Sequence, residues 1–315
     1  MAEAAHQIQG FWPMTKHYRQ RLVAVIALSF LSFTSPLLLT RNAAAQKLSA
    51  SKASSQEINS LIKKLKSKDE RELDGAMEKL GKIGEPAIPA LTEALQNKNS
   101  LVGRNAAEVL VKIGPPAIPA LAKGLKNSDP FVRIISVSAL ERIGAEAKTA
   151  VPLPLLVPAL KDSEARVRSI AASALGSLGA EAKTAVPQLI PLLKDSQANV
   201  RFTVASALGR IGAEAKTAVP QLIPLLKDFK AYVRESAASA LGEIGAEAKT
   251  VVPQLIPLIK DSDAGVRGSA ANALGSMGAE AKTAVPQLIP LLKDSQAYVR
   301  LTACHLCFEE NRYRS

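Results

Sequence analysis

Aromatic side chains are scarce in this 315-residue chain, at 4%, and there is one tryptophan. Histidine is scarcer still: His6 and His17 fall within the first 45 residues, which leaves His305 as the one imidazole of the remainder. Cysteine occurs twice, at Cys304 and Cys307. These shortages exclude much chemistry. Catalysis through imidazole needs a histidine held against a nucleophile or a second titratable group, and a lone histidine near the end of the chain offers little. A structural zinc site takes four ligands; Cys304-His305-Leu306-Cys307 has the spacing of half of one, or of a redox pair, and no second pair exists. No catalytic, metal or cofactor constellation is expected, and the chain reads as a non-enzyme.

Concentrated charge of one sign is missing too. The whole chain carries 40 Lys and Arg against 28 Asp and Glu. Four of those bases and one acid lie in residues 1–45, so the rest has 36 against 27, spread along its length. Nucleic-acid binding usually shows a basic stripe interleaved with aromatics, and none is expected here. A phosphate-binding glycine loop is likewise absent, because the Leu-Gly-x-Ile-Gly segments read as helix ends.

What is abundant is repetition. Gly179 to Asp195, GAEAKTAVPQLIPLLKD, recurs letter for letter at Gly212 to Asp228 and Gly278 to Asp294, and with Val251 and Ile259 at Gly245 to Asp261. A fixed 33-residue period signals a stacked array. Within one unit Val186, Leu189, Ile190 and Leu193, then Val200, Val204, Ala207, Leu208 and Ile211, recur at helical spacing. Each unit is therefore a helical hairpin, helix A then helix B. Ser196 is expected to cap helix B, and Gly212 to end it in a left-handed conformation. Pro187 suits an early turn, whereas Pro191 lies a turn further in and predicts a bend in helix A. Small residues such as Ala205-Ser206-Ala207 let neighbouring hairpins approach closely. The expected fold is all-α, an α-solenoid of about eight two-helix repeats.

The pattern Val-Pro-x-Leu-(x)3-Leu-x-Asp followed by Val-Arg-x-x-Ala-Ala-x-Ala-Leu-Gly-x-Ile-Gly resembles the HEAT-like repeats named from phycobilisome lyase subunits. In that family an Asp of the turn and the Arg opening helix B form a ladder along the stack. The resemblance assigns this structural role to Asp162 and Arg168, Asp195 and Arg201, Asp228 and Arg234, Asp261 and Arg267, and Asp294 and Arg300. Asn127 with Arg133 reads as a weakened rung, and Asn97 with Gly103 has lost the charge pair. Hydroxylases built on HEAT repeats use paired His-Glu ligands, and no such pair occurs here.

In chain order, residues 1–45 read as an export signal: Lys16, His17, Arg19 and Arg21 precede an apolar run from Leu22 to Leu39, and Ala43-Ala44-Ala45 offers a cleavage site before Gln46. Met14 is an alternative start, and an uncleaved anchor through 22–39 an alternative fate. Residues 46–55 read as a polar linker. The array then covers 56–315, with units ending near 84, 114, 144, 179, 212, 245, 278 and 315. The charged first unit suits a solenoid cap. Unit four has two extra residues in helix A, which predicts a local distortion. Unit eight ends in an unrelated FEENRYRS sequence, which leaves three readings open: a natural end covered by a partner, self-association there, or a truncated gene. Cys304 and Cys307 align with Ala238 and Leu241, which predicts core positions; in an oxidising compartment they could instead form a local disulfide.

On so constant a scaffold a binding face should show as variation. The positions flanking the helix-B Val-Arg vary most, and they supply Phe131, Arg166, Phe202, Tyr232 and Tyr298 as candidate protein-binding residues. Phe229, in a turn where other units carry serine, joins them as a candidate. Aromatics are favoured anchors at interfaces. The reading is an exported scaffold that binds another protein. Two alternatives are an accessory subunit of a bilin lyase, as the resemblance implies, and a membrane-tethered envelope scaffold.

Overall fold

The computed structural model describes residues 55–147, 153–245, 248–278 and 284–312. The segment expected to direct export, 1–45, and nearly all of the expected linker, 46–55, lie outside them. The chain divides into two compact units, Met1–Glu57 and Ile58–Ser315, and the array forms the second. Helix α1 spans 55–64. It is followed by α2 (Glu70–Ile83), α3 (Ile88–Leu95), α4 (Ser100–Ile113), α5 (Ile118–Gly124), α6 (Pro130–Ala147), α7 (Leu153–Ala159) and α8 (Ala165–Ser177). The later units give α9 (Val186–Leu189), α10 (Ala198–Ile211), α11 (Val219–Leu222), α12 (Ala231–Ile244), α13 (Ala248–Leu255), α14 (Ala264–Ser276), α15 (Val285–Leu288) and α16 (Ala297–Arg312). Even-numbered helices are the B helices. Among the described residues there is no strand, and no helix is long and apolar enough to cross a membrane.

One continuous apolar core runs from Ile58 to Ala303. The predicted stripes face it: Val186, Leu189 and Leu193 from helix A, and Val200, Val204, Leu208 and Ile211 from helix B, are all buried. One hairpin alone would leave its second side wet, so each unit depends on its neighbours.

The expected bend in helix A takes a particular form. In units five to eight the α-helical part stops at the residue before Ile190, Ile223, Ile256 or Ile289, and a 3-10 helix carries the chain on to Lys194, Lys227, Lys260 or Lys293. Pro191 cannot donate to the preceding turn and its ring crowds the carbonyl there, so the tighter 3-10 winding replaces an α turn.

Two local expectations are corrected. Ser196 does not cap helix B: α10 begins after Gln197 with no side-chain cap, and Asp195 Oδ1 accepts the Gln197 N–H at 2.9 Å instead. The carboxylate two residues back already closes the turn, so the serine is left with its carbonyl as the useful group. Unit three also does not end at Gly144. Helix α6 continues through it to Ala147, whereas Gly212 adopts φ 74° and breaks α10 as predicted. Alanine and glutamate are strong helix formers, so Ala145, Glu146 and Ala147 carry the helix past the glycine.

The first unit is tied to the second by Asn105, whose Nδ2 donates to the Leu65 carbonyl at 2.9 Å in a buried setting. Asn105→Leu should strand that carbonyl and lower stability by about 1–3 kcal/mol. A urea titration should show the midpoint fall; an unchanged midpoint would mean that water reaches the carbonyl.

Candidate protein-binding face

The ladder fixes where each helix B sits. In every complete rung the Arg guanidinium grips the Asp of the next unit with Nε and Nη2, while Nη1 donates back to carbonyls of its own turn. Arg168 is 2.8 and 3.0 Å from the Asp195 oxygens, and its Nη1 is 2.7 Å from the Asp162 carbonyl and 3.0 Å from that of Ser163. Arg201 with Asp228, Arg234 with Asp261 and Arg267 with Asp294 repeat this. The pairing is thus between units, and the Asp and Arg of one turn meet through the Asp carbonyl. Arg133 is a full rung, 2.7 Å from Asp162, and not the weakened one expected from Asn127. What Asn127 lacks is an arginine before it, because Gly103 stands at that place. At the other end Arg300 holds the carbonyls of Asp294 and Ser295 at 2.7 and 3.0 Å.

Electrostatics follow from this geometry. For Asp162, Asp195, Asp228 and Asp261 partial burial pushes the carboxyl pKa up, but the arginine hydrogen bond, a backbone N–H and neighbouring arginine charges outweigh it, so each ends below its ordinary value. Asp294, bonded to Arg267 and the Gln296 N–H, falls to about 2.

With the turns locked, helix-B residues two before the arginine and one, five and nine after it form a stripe on one helical face. This stripe holds most of the candidate residues. Phe131 and Arg166 come together in a groove of about 330 Å3 between α4, α6 and α8. Its apolar lining includes Ile134, Ile135 and Val111, and its basic lining Arg104 and Arg142, the latter 2.5 Å from Glu108. Further along, the Phe202 and Tyr232 rings meet edge to face at 5.7 Å, and the Tyr232 hydroxyl donates to Asn199 at 3.2 Å. Phe202 opens onto a second groove of about 190 Å3 with Glu235, Ser206, Ser239 and Glu243. Burial raises the pKa of both glutamates, helped at Glu235 by Asp263 and opposed at Glu243 by Arg210.

The other two aromatics are not joined to this pair. Phe229 is 78% exposed in its turn, with the Arg201 guanidinium 5.7 Å and the Lys230 ammonium 5.4 Å from the ring centre. Tyr298 lies over Gly268, where an added Cβ would come within 2.9 Å of its ring, and Gly265 holds the equivalent stripe position in the unit between Tyr232 and Tyr298. Cys304 is exposed, against the expected core position. Its counterpart Ala238 is buried, but no described hairpin follows α16 to cover Cys304 in the same way. The side chains of His305 and Cys307 lie outside the described residues. Sequence reasoning missed Glu235 and Glu243, which stand where unit five has Phe202 and Arg210; a unit-by-unit difference would have found them. Among the described residues no group of three or more His, Cys, Asp or Glu is placed to hold a metal ion.

The unit-to-unit ladder and paired helices agree with the family description "HEAT repeats", which matches residues 58–141, 153–228 and 219–306. The chain belongs to the HEAT-repeat family. Solved structures share the fold of this HEAT array. An engineered protein is 26% identical with a TM-score of 0.53, over 78% of this chain and 76% of its own. YibA of E. coli is 20% identical with a TM-score of 0.59, over 79% and 91%. A mutant of Kap121p is 17% identical with a TM-score of 0.60, and the match takes in 79% of the HEAT chain but 32% of Kap121p. No curated protein matches. The match is to HEAT repeats at large, a scaffold fold that suits protein interaction.

Proposed function

We propose that this chain is an exported, non-catalytic scaffold that holds another protein on the face of its B helices. The observation that carries the reading is the edge-to-face pair Phe202 and Tyr232, both more than a third exposed on the variable stripe. Units five and six are near copies, yet they differ there: Asn199 against Tyr232, Phe202 against Glu235 and Arg210 against Glu243. Their ladder residues are the same and their core nearly so. Duplication kept the fold and varied the surface, as a binding scaffold requires and as a repeated catalytic unit would not.

The expected result of Phe202→Ala with Tyr232→Ala is a folded array that loses its native partner at least tenfold, because truncating central aromatic anchors costs upwards of about 2 kcal/mol. Cross-linking the tagged full chain in its native source, followed by mass analysis, measures it. A partner held equally by the double variant removes this face from the proposal. The intact mass should correspond to a start at Gln46 in an extracytoplasmic fraction; a full-length cytoplasmic form would overturn export and favour the lyase-accessory reading, and a full-length membrane form would favour the tether.

A further inference from the structure

We infer that the groove across units two to four takes an acidic segment of the partner protein, an apolar side chain flanked by carboxylates; this rests on the scaffold reading and adds the partner's chemistry. The groove has an apolar centre and a basic rim. Phe131 and Ile134, one helical turn apart on α6, lie partly exposed in its middle. Arg104 from α4 and Arg166 from α8 rise on either side, both exposed. The third arginine, Arg142, is already paired with Glu108. No acid of the described residues forms an ion pair with Arg104 or Arg166, so the lining carries an excess of two positive charges.

The placement of those charges is selective within the array. Arg104 stands at the stripe position that reads Ile134, Ser169, Phe202, Glu235, Gly268 and Leu301 in the later units. Arg166 stands at the one that reads Arg71, Leu101, Phe131, Asn199, Tyr232, Gly265 and Tyr298 in the others. Within units two to eight no other base stands at either place, and together they bracket the apolar pair of the unit between them. Guanidinium groups match carboxylates with two parallel hydrogen bonds. A volume of about 330 Å3 is at the small end for a ligand pocket and fits one or two side chains of a peptide. The second groove, with Glu235 and Glu243, has the opposite sign and would repel the same segment.

The probe is a fluorescein-labelled peptide Gly-Asp-Glu-Phe-Asp-Glu-Gly, titrated by anisotropy against the full chain beside its amide twin Gly-Asn-Gln-Phe-Asn-Gln-Gly. The acidic peptide should bind at least tenfold more tightly, and the preference should shrink as salt rises from 50 to 200 mM. Arg104→Glu with Arg166→Glu should abolish the preference, and Arg104→Gln with Arg166→Gln should remove most of it with no added negative charge. Both pairs change exposed, unpaired side chains, and unchanged circular dichroism will show that the array is intact. Equal binding of the two peptides, or a preference that survives in the doubly reversed variant, overturns the inference. Either outcome leaves the scaffold reading standing if cross-linking still captures a partner; absence of any partner defeats that reading instead.

Discussion

Asp228→Ala should lower the stability of the array by about 3–5 kcal/mol, the range for removing one partner of a buried, hydrogen-bonded ion pair. Arg201 is 8% exposed and its guanidinium is fixed from two sides, by the Asp228 oxygens at 2.8 and 3.1 Å and by the Asp195 carbonyl at 2.8 Å. Without the carboxylate it keeps its charge and has no room to reach water. The Lys230 N–H, 2.9 Å from the same carboxylate, also loses its acceptor. Exposed ion pairs contribute about 1 kcal/mol or less, so a loss of that size in urea titrations would place the rung among them and refute its structural role. A cycle with Arg201→Met should show strong coupling, since the charge is then absent before the carboxylate is removed.

Acid supplies a second signature of the same rung. Burial raises the Asp228 pKa, but the Arg201 hydrogen bond, the Lys230 N–H and the arginine charges bring it below the unfolded value of about 3.9. A carboxyl with a lowered folded pKa contributes fully above its unfolded pKa and loses that contribution as pH falls through the folded one. The gap between the native chain and Asp228→Ala should therefore be constant from neutral pH to about 5 and close below about 4. A gap that closed near pH 6 would point to another titrating group.

The period, the two stripes and the proline pattern carried the fold in the sequence because a solenoid repeats its local instructions at fixed spacing, and Pro191 announces its bend by chemistry alone. The ladder's residue types were legible; its register was not. Whether Asp195 faces the arginine of its own unit or of the previous one depends on how hairpins stack, and spacing within a unit is silent on that. The same limit explains Cys304: alignment gave it the place of Ala238, but burial there comes from the next hairpin. For the candidate face, variation singled out Phe131, Arg166, Phe202 and Tyr232 as candidates; that the two flanking positions share one stripe follows from the helix. It could not tell that Arg166 and Phe131 line one groove across a repeat boundary, or that Phe229 stands off the stripe, near Arg201 and Lys230.

Gly176→Val should be as damaging as the loss of a rung, for a steric reason. A Cβ at Gly176 would stand 2.7 Å from the Cα and 2.8 Å from the Cβ of Ala207, inside any real carbon contact. The obstacle is backbone, so no rotamer relieves it, and α8 must move away from α10. Valine has a slightly better helix propensity than glycine, by a few tenths of a kcal/mol, and that gain is small beside the cost of overpacking, about 1–3 kcal/mol and more where backbone has to shift. In an array each unit is stable through its neighbours, so opening this interface should also split the single denaturation curve into two steps, one for the units on each side. Gly81 provides the control. It too lies inside a helix, but an added Cβ would meet only the Lys112 side chain, at 3.7 Å. Gly81→Ala should then raise stability by about 0.5–1 kcal/mol through backbone entropy alone. Opposite signs at Gly176 and Gly81 would show that the Leu-Gly at the end of α8 is there for the approach of the next helix, and equal signs would show that propensity governs both.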